Sequence, residues 1–172
     1  MKKTLMITGL VTSAVLCLAQ GGTSKTDASG KMSCRFVAAP KTQTMDANTN
    51  MGKITITMYL AVSDKFLQVV AWNKVPQKIA ANKRAEVLDS AFKGYLAKQT
   101  GGVAGKARSI SLGNASGREY TYTMTTQGKT LKGLWRGFIS DTRMYQVIGT
   151  DLTGADPMKS MGSYLNSFSI LP

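Results

Sequence analysis

The residues able to do chemistry are few, and their spacing binds them to none. The chain has 172 residues and no histidine. That excludes a Ser-His-Asp or Cys-His nucleophile pair and any zinc site that needs an imidazole. Its nine acids fall mostly in turns, helix caps or the polar face of a helix, and only Glu119 sits inside an expected strand. Glycoside hydrolysis needs two carboxylates across one bond, and nothing in the spacing of these acids supplies such a pair. Gly101, Gly102 and Gly105 follow a helix and precede a strand, the reverse of the order in a phosphate-cradling loop. No catalytic residue, metal ligand or cofactor-binding residue is therefore expected.

Three features remain. Cys34 is one of two cysteines, and an odd thiol in an exported chain can be a redox or partner-linking group. Its place between Met32 and Phe36 in an alternating pattern instead favours a buried, inert side chain. Trp135 beside Arg136 has the make-up of a stacking contact, although a strand tryptophan more commonly packs in a core. Lys74, Lys78, Lys83 and Lys93 form a candidate anion-binding strip, since Lys83 and Lys93 are ten residues apart and fall on one side of a helix.

These groups must be positioned by elements that the pattern outlines. Residues 32–38 alternate between apolar and polar, and so does Lys53 to Val62, which puts Ile54, Ile56, Met58, Leu60 and Val62 on one face. Phe66 to Trp72 reads as a more fully buried strand. Over 80–98 the period changes. Ala81, Ala85, Leu88, Ala91, Phe92, Tyr95 and Leu96 recur at helical steps, and Gly101-Gly102 stops the helix. Strands follow at 103–112, 118–126, 130–140 and 143–150, joined by short polar, glycine-containing turns that indicate hairpins. Asp156-Pro157 opens a last helix, the acid capping it and the proline starting it. The expected fold class is α+β: a mainly antiparallel sheet of about six strands with helices packed on its faces.

At the N-terminus, Lys2 and Lys3 precede an uncharged, largely apolar run from Leu5 to Ala19. This is the pattern of a secretory signal peptide over 1–19, cleaved after Ala19. The run is short of the roughly 20 apolar residues that span a bilayer, so no integral membrane segment is expected. Lipid attachment at Cys17 is the alternative, disfavoured by the bulky Leu16 before it. Residues 20–31 are Gly, Ser, Thr, Lys and Asp for the most part and read as a flexible tether, leaving one domain over 32–172. Removing 1–19 takes Lys plus Arg from 22 to 20 against nine acids, so the net charge falls from +13 to +11. An exported domain this basic, periplasmic or extracellular, is expected to meet an anionic envelope polymer, lipid head groups or an acidic protein, with no specific nucleic acid indicated.

The order of elements carries a resemblance. Arg35-Phe36 leading to Pro40-Lys41, Asn50-Met51-Gly52-Lys53 entering a strand, and Trp72 through Pro76 before the helix make one set of motifs. Arg118-Glu119-Tyr120, Met144-Tyr145-Gln146-Val147 and the ending Tyr164-Leu165-Asn166-Ser167-Phe168 make another. Over most of 33–171 the chain resembles the PsbP-like and DcrB-like exported bacterial proteins. The resemblance implies a PsbP-like α/β/α sandwich and carries no functional residue with it. The function expected is that of a non-catalytic binding or accessory protein. The alternative is an enzyme whose site is assembled from polar residues distant in sequence.

Overall fold

The computed structural model describes residues 22–49, 52–140 and 142–172. The expected signal over 1–19, its cleavage after Ala19 and the alternative at Cys17 lie outside them. Among the described residues, ten strands and two helices run in the order β1 (Thr23–Asp27), β2 (Met32–Phe36), β3 (Lys41–Thr49), β4 (Gly52–Val62), β5 (Phe66–Lys74), α1 (Arg84–Leu96), β6 (Val103–Leu112), β7 (Ala115–Thr126), β8 (Lys129–Ser140), β9 (Arg143–Asp151), α2 (Pro157–Ser167) and β10 (Ser169–Ile170). A 3₁₀ turn, Ala81–Lys83, precedes α1. No described helix is long and apolar enough to cross a membrane.

Seven strands form one antiparallel sheet in the order β3-β4-β5-β9-β8-β7-β6, and β1-β2-β10 form a second. This corrects the expected architecture. Instead of about six strands sandwiched between helices, two sheets dominate the described residues, with only two short helices beside them. Two strands had no apolar alternation to reveal them. β3 reads KTQTMDANT and lies almost wholly exposed along a sheet edge. There its polar side chains face water and blunt an edge that would otherwise be sticky. The segment read as a tether contains β1, TSKTD, which pairs along its whole length with β2.

The cores follow from the pleat, since successive strand residues point to opposite faces. One face of the large sheet presents Tyr59, Val70, Trp72, Leu134, Phe138, Tyr145 and Val147. The small sheet covers it with Met32, Cys34 and Phe36, and α2 with Met161, Tyr164 and Leu165. On the other face α1 lays Leu88 and Phe92 against Tyr122, Trp135, Ile139 and Ile148. Helix α1 packs on β7 and β8. There Phe92 stacks on Tyr120, with ring centroids 4.0 Å apart. Strand β8 makes room for these rings with glycines: a Cβ at Gly133 would lie 2.1 Å from Tyr122, and one at Gly137 2.2 Å from Trp135.

Two of the local signals hold, while β7 begins at Ala115, ahead of the expected 118. Asp156 Oδ1 accepts the Met158 N–H at the start of α2, with Pro157 in its first turn. Gln127 and Gly128 both take positive φ, as a two-residue hairpin turn between twisted strands requires.

Candidate functional site

The described acids with shifted pKa values are tied up in structure. Asp27, at the end of β1, accepts five hydrogen bonds: from the backbone and hydroxyl of Ser29, from the Gly30 N–H, from the Tyr59 hydroxyl at 2.6 Å and from Trp72 Nε1 at 2.7 Å. Burial works to raise its pKa, but the donors outweigh it and hold the carboxyl at about 2. Burial, helped by this carboxylate, pushes the Tyr59 hydroxyl up to about 12.

Glu119 is buried between Arg108 and Arg136, and these two partners depress its pKa against the opposing pull of burial. Arg136 also reaches the Leu165 carbonyl and Asn166 Oδ1, both at 2.9 Å, so it fastens the C-terminal end of α2 to the sheet. Asp89 is likewise held ionised against its partial burial, by Tyr120 and Arg118. Asp151 caps its own turn by accepting from the backbones of Thr153 and Ala155. A general acid at neutral pH needs a raised carboxyl, and all four of these are lowered. Among the described residues no group of three or more metal-ligating side chains comes together.

The residues singled out in the sequence separate in space. Trp135 is fully buried and donates through Nε1 to Gln146. Arg136, the next residue, points to the opposite face and bonds Glu119. The pair therefore forms no common contact surface. Cys34 is 2% exposed, and burial raises its thiol to about 11, so it packs as an apolar residue. Lys74, Lys78, Lys83 and Lys93 are all exposed. Lys83 lies in the 3₁₀ turn ahead of α1, not on the helix with Lys93, and pairs with Glu86 at 3.0 Å.

What the sequence did not reveal is a groove between the β6–β8 end of the sheet and the α2–β10 segment. After α2 the chain turns extended at Phe168, whose ring stacks on Phe138 with centroids 5.8 Å apart. Two hollows of about 380 and 270 Å³ adjoin at Leu112. Ile110, Leu112, Phe138 and Phe168 make an apolar floor in the smaller one, and Arg136 stands at its side. Lys31 and Arg143 line the larger, with Asn114, Ser140 and Ser169. Arg143 spends one Nη on the Ser29 carbonyl at 3.4 Å, while its buried Nε has no partner. A buried donor without an acceptor is costly. No described Asp or Glu side chain lines either hollow, and Pro172 lies at the wall of the larger one. The groove depends on where the C-terminal segment docks, which no local pattern encodes.

No family model matches the chain, and no curated protein does. The resemblance to PsbP-like and DcrB-like proteins thus finds no support there. Among solved structures, the chain is similar to a protein of unknown function from Pseudomonas aeruginosa, at 8% identity and a TM-score of 0.45, covering 88% of this chain and 96% of that one. It is also similar to LpqN of Mycobacterium tuberculosis, described as involved in cell envelope biogenesis, at 13% identity and a TM-score of 0.47, covering 77% and 86%. At these scores neither likeness bears on what this chain does.

Proposed function

We propose that the protein is an exported, non-catalytic accessory protein. It binds an extended anionic ligand in the groove between β6–β8 and α2–β10. The observation that carries the reading is the placing of two cations, Arg143 and Lys31, along a groove with an apolar floor and no described Asp or Glu side chain. A carboxylate or phosphate would lie against those two cations, and apolar parts of the same ligand would lie along Phe138 and Leu112. The net charge, +13 for the whole chain and +11 without residues 1–19, supports the choice of an anionic partner. The lowered acids support a binding role over catalysis, since none is poised to move a proton near neutral pH.

Calorimetric titration tests this with two ligands, a short acidic peptide rich in apolar residues and an inorganic polyphosphate. They separate an acidic protein from an anionic envelope polymer as the source of the charge. Binding of one of them is expected, weakened about tenfold in Arg143→Ala, the equivalent of one charge-assisted hydrogen bond. Failure of both ligands to bind, or unchanged affinity in Arg143→Ala, would sink the proposal.

A further inference from the structure

A second surface lies on the opposite side of the large sheet. By register, Met45, Ile54, Ile56, Met58, Leu60, Val62 and Leu67 emerge on one face of β3–β4–β5. It is the face that α1 covers farther along, over β7 and β8. The helix stops short of this half, and none of the seven side chains belongs to either packed core. Val62 is 57% exposed and the other six are half-buried. A contiguous apolar patch on a sheet face marks an interaction surface more often than chance.

The charges around it say what covers it. Lys41 stands opposite Leu60 in register and so emerges on the same face. Lys65 sits in the turn that closes the β4–β5 end of the stripe. Lys78 lies exposed in the segment that leads to α1, between Val75 and Ile79, which pack into the core under that helix. Among the described residues none of these three forms an ion pair; Asp64 stands exposed beside Lys65, Glu86 is taken by Lys83, and Asp46, paired with Lys53, emerges on the other face. Two copies placed face to face would set these lysines against one another, in chains that each carry +13. A surface that is apolar at its centre and negative around it meets both demands at once.

We infer that this face of β3–β4–β5 docks the protein onto an anionic lipid surface. Its aliphatic side chains enter the head-group boundary, and Lys41, Lys65 and Lys78 lie against lipid phosphates. The site is separate from the groove, which opens on the other side of the sheet. The protein can therefore rest on a membrane and hold a ligand together.

Co-sedimentation with vesicles of mixed phosphatidylglycerol and phosphatidylcholine tests the inference, with pure phosphatidylcholine vesicles as the control. The protein is expected to pellet with the mixed vesicles and to release as salt shortens the screening length below about 8 Å. The double variant Ile54→Asp, Ile56→Asp should lose about tenfold or more in partition, the size expected when apolar insertion is replaced by buried charge. Ile54→Thr, Ile56→Thr serves as the milder version, and each variant's melting temperature shows that it is folded. Lys41→Glu, Lys65→Glu, Lys78→Glu should abolish the preference for phosphatidylglycerol. Arg143→Ala should pellet like the parent, which keeps this site distinguishable from the groove. The inference is overturned if nothing pellets, or if the isoleucine variants pellet unchanged. It is equally overturned if sedimentation equilibrium shows a dimer that those variants dissolve, which would give the face to a second copy.

Discussion

Strands β8 and β9 and strands β3 and β4 belong to the same sheet, yet they solve different problems. On β8, Leu134 and Phe138 face the core under α2 and the small sheet, while Trp135 and Ile139 face the core under α1. Both faces are covered there, so from Gly133 to Ile139 only Arg136 interrupts the apolar residues. On β4 only one face is covered. The covered residues are Tyr59 and Ala61, at 5% and 1% exposure, while the more aliphatic alternates stand half open. The lesson is that alternation identifies a strand's two faces without saying which one is inside. An apolar face is an inward face only where something comes to cover it.

The largest effect should come from breaking the doubly covered half. Phe92 is 1% exposed and lies between Tyr120, Tyr122 and Trp135. Phe92→Ala should cost about 3–5 kcal/mol, measured by denaturant titration, because the cavity it leaves is walled by rigid rings. A change in midpoint near zero would mean that α1 does not hold down this face. Gly137→Ala sharpens the same point from the other direction. Its Cβ would meet the fully buried Trp135 ring, and overpacking of this kind costs about 1–3 kcal/mol.

That half was the legible one. Its helix announced itself through Leu88 and Phe92 at helical spacing, and its strands through glycine-bearing turns. The helix begins at Arg84, later than the start near residue 80 that the periodicity implied, because Ala81–Lys83 wind as a tighter 3₁₀ turn. What stayed hidden depends on long-range pairing. β1 owes its order to the pairing with β2 and to Asp27 reaching Tyr59 and Trp72, partners 32 and 45 residues away. β3 is a strand because β4 offers it an edge, not because of its own composition. The groove likewise forms only when Ser169–Ile170 joins β2.

Asp27 gives the next effect in size and joins the two halves, since it ties the small sheet to β4 and β5. Its carboxyl is held at about 2 in the folded chain, against about 3.9 in an unfolded one. A lowered folded pKa stabilises the protein above the unfolded value, and that contribution is lost as pH falls through the folded one. About 2 kcal/mol should therefore disappear between roughly pH 5 and pH 2. In Asp27→Asn the slope of stability over that window should flatten while other acids keep theirs. An unaltered slope would show that folding leaves the pKa of this carboxyl unchanged.

Cys34 tests the covered face by chemistry. With its thiol raised to about 11 and enclosed by the small sheet and α2, it should react with a neutral-pH thiol reagent only as fast as the structure opens. Denaturant should speed the reaction by several orders of magnitude. Fast, complete labelling of the native chain would mean that the small sheet lifts readily, and the contrast between the two faces would weaken.

The smallest effect should fall on the open face, and it is the sharpest test of the comparison. Ile56 sits at the middle of the stripe, opposite Met45 on β3 and Asn73 on β5. Ile56→Thr keeps a β-branched side chain, so strand propensity is nearly conserved. It exchanges a methyl-rich surface for a hydroxyl that finds water on this face, with neither packed core disturbed. The expected cost is within about 0.5 kcal/mol by denaturant titration, the usual range for surface substitutions. A buried isoleucine would behave differently, because the hydroxyl would be desolvated without a partner and the cost would exceed about 1 kcal/mol. The same measurement repeated over a range of protein concentrations separates the two ways of reaching that larger value. A cost independent of concentration means that this chain covers its own face. A cost that grows with concentration means that another copy does.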